Sequence, residues 1–138
     1  MTSIKLLKSQ LYSEMDSDGP SADPVLLGGR CRCGHVFFPM QIHGCERCGG
    51  HGDALTPQTL STHGTLLASA LVHLHADKNR PAPFTIVRVA LDDGPVVRTL
   101  LADDNGALAP GQRMKAKLMS VQQSDGEVVF DLRFTAIA

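Results

Sequence analysis

Cys31-Arg32-Cys33-Gly34 and Cys45-Glu46-Arg47-Cys48-Gly49 are two short cysteine pairs separated by eleven residues, and together they hold every cysteine of the chain. Zinc takes four thiolate or imidazole ligands in a tetrahedron, and two close pairs brought together by a hairpin supply that geometry. A glycine follows the second cysteine of each pair, where a tight knuckle calls for positive φ. The surrounding segment is apolar only at Val25, Leu26, Leu27, Val36, Phe37, Phe38, Met40 and Ile42. That is too little to stabilise about thirty residues without a cross-link. Cys31, Cys33, Cys45 and Cys48 are therefore the candidate metal ligands, and a structural zinc is the expected ion. The first pair is C-x-C, one residue tighter than the usual knuckle. Cys31 and Cys33 point the same way in a regular strand, so alternation permits joint ligation. Three alternatives stay open: a site without its metal, replacement of one ligand by His35, His43 or His51, and iron in place of zinc. A thiol–disulfide role for Cys45 and Cys48 is disfavoured, because they do not sit at the strand–helix junction of a βαβ unit and a second cysteine pair is close in sequence.

Downstream of the cysteines the pattern is alternating β. Strands are expected from Leu66 to His75, with Ala68, Ala70, Val72 and Leu74 on one face, then from Phe84 to Leu91 and from Val96 to Leu101 around an Asp92-Asp93-Gly94-Pro95 turn. Met114, Ala116 and Leu118 alternate with lysines after Pro110-Gly111, and Val128, Phe130, Leu132 and Phe134 alternate after Ser124-Asp125-Gly126. Five hairpin-linked strands in about eighty residues point to a small barrel of the OB type, with a two-layer sandwich as the alternative. Upstream, Ile4, Leu6, Leu7 and Leu11 have the spacing of a short amphipathic helix, ended by Ser17-Asp18-Gly19-Pro20. The expected organisation is mostly β: a helical segment at 1–24, a rubredoxin-like zinc ribbon at 25–57 and a five-stranded OB-fold at 58–138.

Composition narrows the function. The 138 residues are 43% hydrophobic and 20% charged, as in ordinary globular domains, and the net charge of −1 lacks the basic excess of a duplex-binding protein. Residues 59–138 carry eight basic and eight acidic side chains and three aromatics, of which Phe130 and Phe134 fall on the apolar face. Single-strand binders need a positive groove with exposed aromatic platforms, so nucleic-acid binding is the second reading. No apolar run approaches the roughly 18 residues of a membrane span, and the N-terminus lacks the apolar core of a signal peptide. The expectation is a cytoplasmic protein with reduced thiols. His73 and His75 form an H-x-H pair without an evident third ligand, and they read as a solvated or interface face. Phosphate-loop and nucleophile-elbow motifs are absent, so the chain alone is expected to be non-catalytic. Arg30, Arg32 and Arg47 surround the cysteines, where they either pair with a partner's anions or offset thiolate charge.

The run Leu26-Leu27-Gly28-Gly29-Arg30-Cys31-Arg32-Cys33-Gly34-His35-Val36-Phe37-Phe38-Pro39, followed by Cys45-Glu46-Arg47-Cys48-Gly49 and then Leu60-Ser61-Thr62-His63-Gly64-Thr65, resembles the acyl-CoA-associated zinc-ribbon/OB-fold family, domain of unknown function thirty-five. Pro83-Phe84 and Val89-Ala90-Leu91-Asp92-Asp93-Gly94 resemble its central hairpin, and the likeness spans about residues 25–138. The resemblance implies an accessory subunit that joins a thiolase-like catalytic subunit in a hetero-oligomer and shares a CoA ester with it. The C-x-C ribbon further resembles small subunits of thiolases in aromatic, benzylsuccinyl-CoA, degradation. On this reading Lys78 and Arg80, in the polar loop at 77–83, approach a CoA phosphate. Phe37, Phe38 and Met40 contact the partner, with filling of the junction between ribbon and barrel as the alternative for one or both phenylalanines.

Overall fold

A computed structural model describes residues 5–13, 24–73, 83–102, 108–123 and 125–137. Among the described residues nine strands form in chain order: β1 (Tyr12–Ser13), β2 (Val25–Cys31), β3 (Val36–Phe37), β4 (Leu55–Leu60), β5 (His63–Val72), β6 (Phe84–Leu91), β7 (Val96–Leu100), β8 (Arg113–Gln122) and β9 (Val128–Ala136). They make two sheets. In the smaller one β2 is central and pairs antiparallel with β1, β3 and β4; the larger one runs β7-β6-β5-β8-β9. A parallel bridge between Leu101 and Phe134, with the Ala102 N–H donating to the Phe134 carbonyl at 2.7 Å, nearly closes the larger sheet into a barrel. No helix among the described residues is long and apolar enough to cross a membrane.

The β reading of the C-terminal part holds closely. The Asp92–Pro95 turn joins β6 and β7 as expected: Gly94 takes φ +121° and its N–H donates to the Leu91 carbonyl at 2.9 Å. The turn's two acids do more than face water. Asp92 accepts two bonds from the Arg113 guanidinium, 2.9 and 2.7 Å, and Asp93 accepts the Ser61 N–H at 2.8 Å. Arg113 holds the Asp92 carboxyl below its ordinary range, chiefly through these bonds. Met114, Ala116, Leu132 and Phe134 point into the barrel, together with Leu66, Val87 and Val89. Ala68 and Ala70 do not, because a bulge between Leu66 and Ala68 carries the end of β5 out of the core. Val128 is also exposed, whereas Val129 and Asp131 are buried.

The N-terminal helix is overturned over residues 5–13. Leu6 bridges in parallel to Phe130, residues 7–11 form turns, and Tyr12 enters a strand opposite Leu26. The physical cause is the open edge of β9. The Phe130 N–H donates to the Lys5 carbonyl and the Leu7 N–H donates to the Phe130 carbonyl, both at 2.8 Å. A helix of this length is marginal alone, and an unpaired strand edge offers its backbone better partners. The same segment also meets the second face of β9 at Asp131. There the Tyr12 hydroxyl donates to Asp131 Oδ1 at 2.8 Å, and burial followed by this bond raises the tyrosine pKa.

The β2–β4 ladder links the two ends of the molecule. Leu26 pairs with Leu60 inside the barrel's core, while Cys31 pairs with Leu55 beside the other cysteines. Gly28 and Gly29 make the ladder compact: a Cβ at Gly28 would lie 2.6 Å from the Phe37 carbonyl oxygen and from Leu60, and one at Gly29 2.5 Å from Met40 Sδ and the Phe37 ring.

Candidate metal centre

Two knuckles face each other beyond the end of β2. In the first, the chain leaves β2 at Cys31 and turns at Gly34, whose φ is +99° and whose N–H donates to the Cys31 carbonyl at 2.8 Å. The Cys31 N–H in turn donates to the His35 carbonyl at 2.8 Å, and the chain enters β3. In the second, Gly49 takes φ +80° and its N–H donates to the Cys45 carbonyl at 2.9 Å. The glycines meet the conformational demand expected of them.

All four sulfurs lie within 4.8 Å of one another. The shortest separations run across the knuckles: Cys31 Sγ to Cys48 Sγ is 3.5 Å, and Cys33 Sγ to Cys45 Sγ is 3.8 Å. A tetrahedron with metal–sulfur bonds of about 2.3 Å has edges of about 3.8 Å, so this set has the size of a four-thiolate site. Backbone N–H groups already point at the second knuckle's sulfurs, Arg47 N to Cys45 Sγ at 3.3 Å and Gly50 N to Cys48 Sγ at 3.4 Å. Cys31 and Cys45 are buried, Cys33 and Cys48 exposed. The shortened first knuckle therefore does not prevent clustering.

The electrostatics agree with the geometry. The Cys45 thiol is drawn down to about 6, first by the Cys48 N–H and, against burial, by the Arg47 N–H and the neighbouring sulfurs. Cys31 is held up at about 12: the Cys33 N–H favours its thiolate, but burial and its bonds to the other cysteine sulfurs outweigh that. Sulfurs this close share protons, because a thiolate on one keeps the next protonated. A soft divalent cation removes that conflict and lets all four act as thiolates.

The histidines stay outside the cluster. His35 Nε2 lies 2.8 Å from Glu46 Oε1, with its ring stacked on Phe37 at 6.3 Å, and His43 and His51 are exposed. Sequence reasoning missed Gln41, which pins the approach to Cys45. Its Oε1 accepts the His43 and Gly44 N–H groups at 2.6 and 3.1 Å, and its Nε2 donates to the Gly44 carbonyl at 2.8 Å. A long amide two residues before a His-Gly turn was the available signal.

Arg30, Arg32 and Arg47 are exposed, without an ion pair among the described residues. Phe37 is buried with Cys31, Cys45 and Leu55, Met40 packs on them, and Phe38 packs toward the barrel. These side chains fill the ribbon and its junction; the ribbon's exposed large apolar residue is Ile42. His73 is exposed after β5, while His75, Lys78 and Arg80 lie outside the described residues.

No protein-family model matches the chain, and no curated protein does. A solved structure named "Ltp2-ChsH2(DUF35) aldolase" is similar to it, with a TM-score of 0.58 and 17% sequence identity over 79% of this chain and 84% of that one. At that identity the likeness is one of fold alone.

Proposed function

We propose that this chain is a non-catalytic accessory subunit of a thiolase-type acyl-CoA enzyme complex. Its four cysteines hold one structural zinc, and it belongs to the zinc-ribbon/OB-fold family of unknown function thirty-five. The observation that carries the reading is the fold shared along most of both chains with a structure whose name joins two components under the word aldolase. The strand path supports the OB assignment: the first barrel strand, β5, pairs with both β6 and β8, and β7 closes toward β9. Residues 25–57 act as the ribbon and 58–138 as the barrel. When bound, the metal supplies a cross-link between knuckles rather than a reaction. Cys31 and Cys45 anchor it from the inside, Cys33 and Cys48 close it from the solvent side, and the Arg47 and Gly50 N–H groups stabilise the thiolates.

In this reading the partner subunit supplies the nucleophile. The ribbon presents Ile42 and the arginines to it, while Lys78 and Arg80 meet a phosphate of the shared CoA ester. The pathway that fits the resemblance is aromatic, benzylsuccinyl-CoA, degradation in the cytoplasm. Co-expression with a thiolase-type subunit tests the reading. A co-purifying complex that turns over an acyl-CoA, with neither chain active alone, is expected. K78A/R80A weakens the complex's affinity for CoA ester without dissolving it. Turnover by this chain alone, or salt-sensitive retention on single-stranded DNA with no association, contradicts the proposal.

A further inference from the structure

We propose that the outer edge of β5 is a self-pairing surface, through which two copies of this chain join antiparallel about Ser69 into one continuous sheet. β8 pairs with β5 only from His63 to Thr65. At Leu66 the last backbone bonds on that side run to Gln112 and Gly111. From Ala68 to Val72 the strand is paired with β6 alone, on its other side. Leu67, Ala68, Ser69, Ala70 and Leu71 are all exposed, with Leu67 at 42% and Leu71 at 49%. Among the described residues nothing else pairs with this edge.

A bare strand edge is a row of unmet N–H and C=O groups, and its natural complement is another strand. Proteins protect such edges with charge or proline, yet residues 64–72 contain neither. What identifies the second strand as a copy of the first is the sequence. Leu66-Leu67-Ala68-Ser69-Ala70-Leu71-Val72 reads nearly the same in both directions about Ser69. A two-fold interface must be self-complementary. With Ser69 opposite itself, Leu67 meets Leu71 of the second copy twice, Ala68 meets Ala70, and no charge meets a like charge at the seam. The cation facing this stretch from β6, Arg88 opposite Ala68, does not oppose the pairing. It and its counterpart stand three strand spacings apart, about 14 Å, beyond the screening length at physiological salt. The edge left open to the added strand is Leu67–Leu71, since Leu66 is already bonded to Gln112 and Gly111. The strip is small beside the roughly 800 Å² per partner of a standard interface, so the dimer forms at micromolar or higher concentration.

Sedimentation of the metal-loaded full chain tests this, with mass expected to climb from monomer toward dimer as concentration rises. L71K, at a half-exposed position, is expected to weaken self-association at least about tenfold, since it sets an ammonium against Leu67. Register is read by cross-linking under mild oxidation, with the wild type as blank. S69C links to itself because it lies on the axis. A68C alone links poorly, and mixing it with A70C restores the link. A monomer at every concentration, a dimer indifferent to L71K, or equal cross-linking of S69C and A68C each overturns the proposal.

Discussion

The two ends of this molecule are held together by different physics. The barrel end has a continuous apolar core in which Phe134, Leu66, Met114, Val87 and Val89 are fully enclosed, and it reaches out to take in Tyr12, Leu26 and Leu60. The ribbon end has a cluster of four buried residues, Cys31, Phe37, Cys45 and Leu55, and two of those four are themselves candidate ligands. Burial of this size cannot offset the ordering cost of the knuckles and their connecting loop. The barrel's stability thus comes from area removed from water, and on the proposed function the ribbon's comes from coordination. The β2–β4 ladder is the mechanical link between them, with Leu26–Leu60 at one end and Cys31–Leu55 at the other.

That contrast can be broken from either side. The largest effect is expected from the metal. Structural zinc contributes on the order of 10 kcal/mol to small finger-type units. Chelation, or C45S, should therefore abolish amide-exchange protection across residues 31–54 while β5–β9 stay protected. Loss of protection throughout would show that the two ends are not separately stabilised. From the other side, F134A leaves a void at the barrel's centre and should cost about 3–5 kcal/mol in denaturant unfolding, with metal content unchanged in the folded fraction.

Smaller changes sharpen the boundary. G29A places a methyl against Met40 and the Phe37 ring and should cost about 1–3 kcal/mol, felt mainly as weaker metal retention. Y12F removes the bond to Asp131 while Arg133 Nε still donates to that carboxylate at 3.3 Å, so a loss of about 1–2 kcal/mol is expected. This position also carries a pH signature. Burial and Asp131 raise the Tyr12 pKa above its ordinary 10.0, so the unfolded chain gives up this proton first. Stability is full below pH 10 and falls as pH rises beyond it; Y12F should remove that part of the alkaline slope. R113A, at an exposed pair, should change stability least of these variants.

Much of this was legible in the residues. The cysteine spacing and its following glycines pointed to the four sulfurs that cluster and to the two knuckle turns. Alternation located β6 and β7 almost to the residue and the first half of β8, because one face of each is buried and the other wet. What failed depended on distant partners. Leu6, Leu7 and Leu11 have helical spacing, but local pattern carries no information about the open edge of β9 that takes their backbone. The burial of Asp131 beneath Tyr12 follows from that covering and was equally hidden. Ala68 and Ala70 were misassigned because β5 runs out past the core beyond Leu66, so both of its faces are exposed there, and nothing in Leu66-Leu67-Ala68 announces that. Phe37 and Met40 looked like contact residues, yet the Gly28–Gly29 approach that seats them inward is visible only once β2 and β3 are paired.

Metal content measured together with residue-level amide exchange on freshly prepared, folded protein bears most directly on the coordination account. It predicts one zinc per chain, and protection of residues 31–54 that disappears when the zinc is withdrawn. A folded, metal-free chain in which those same amides remain protected would contradict it.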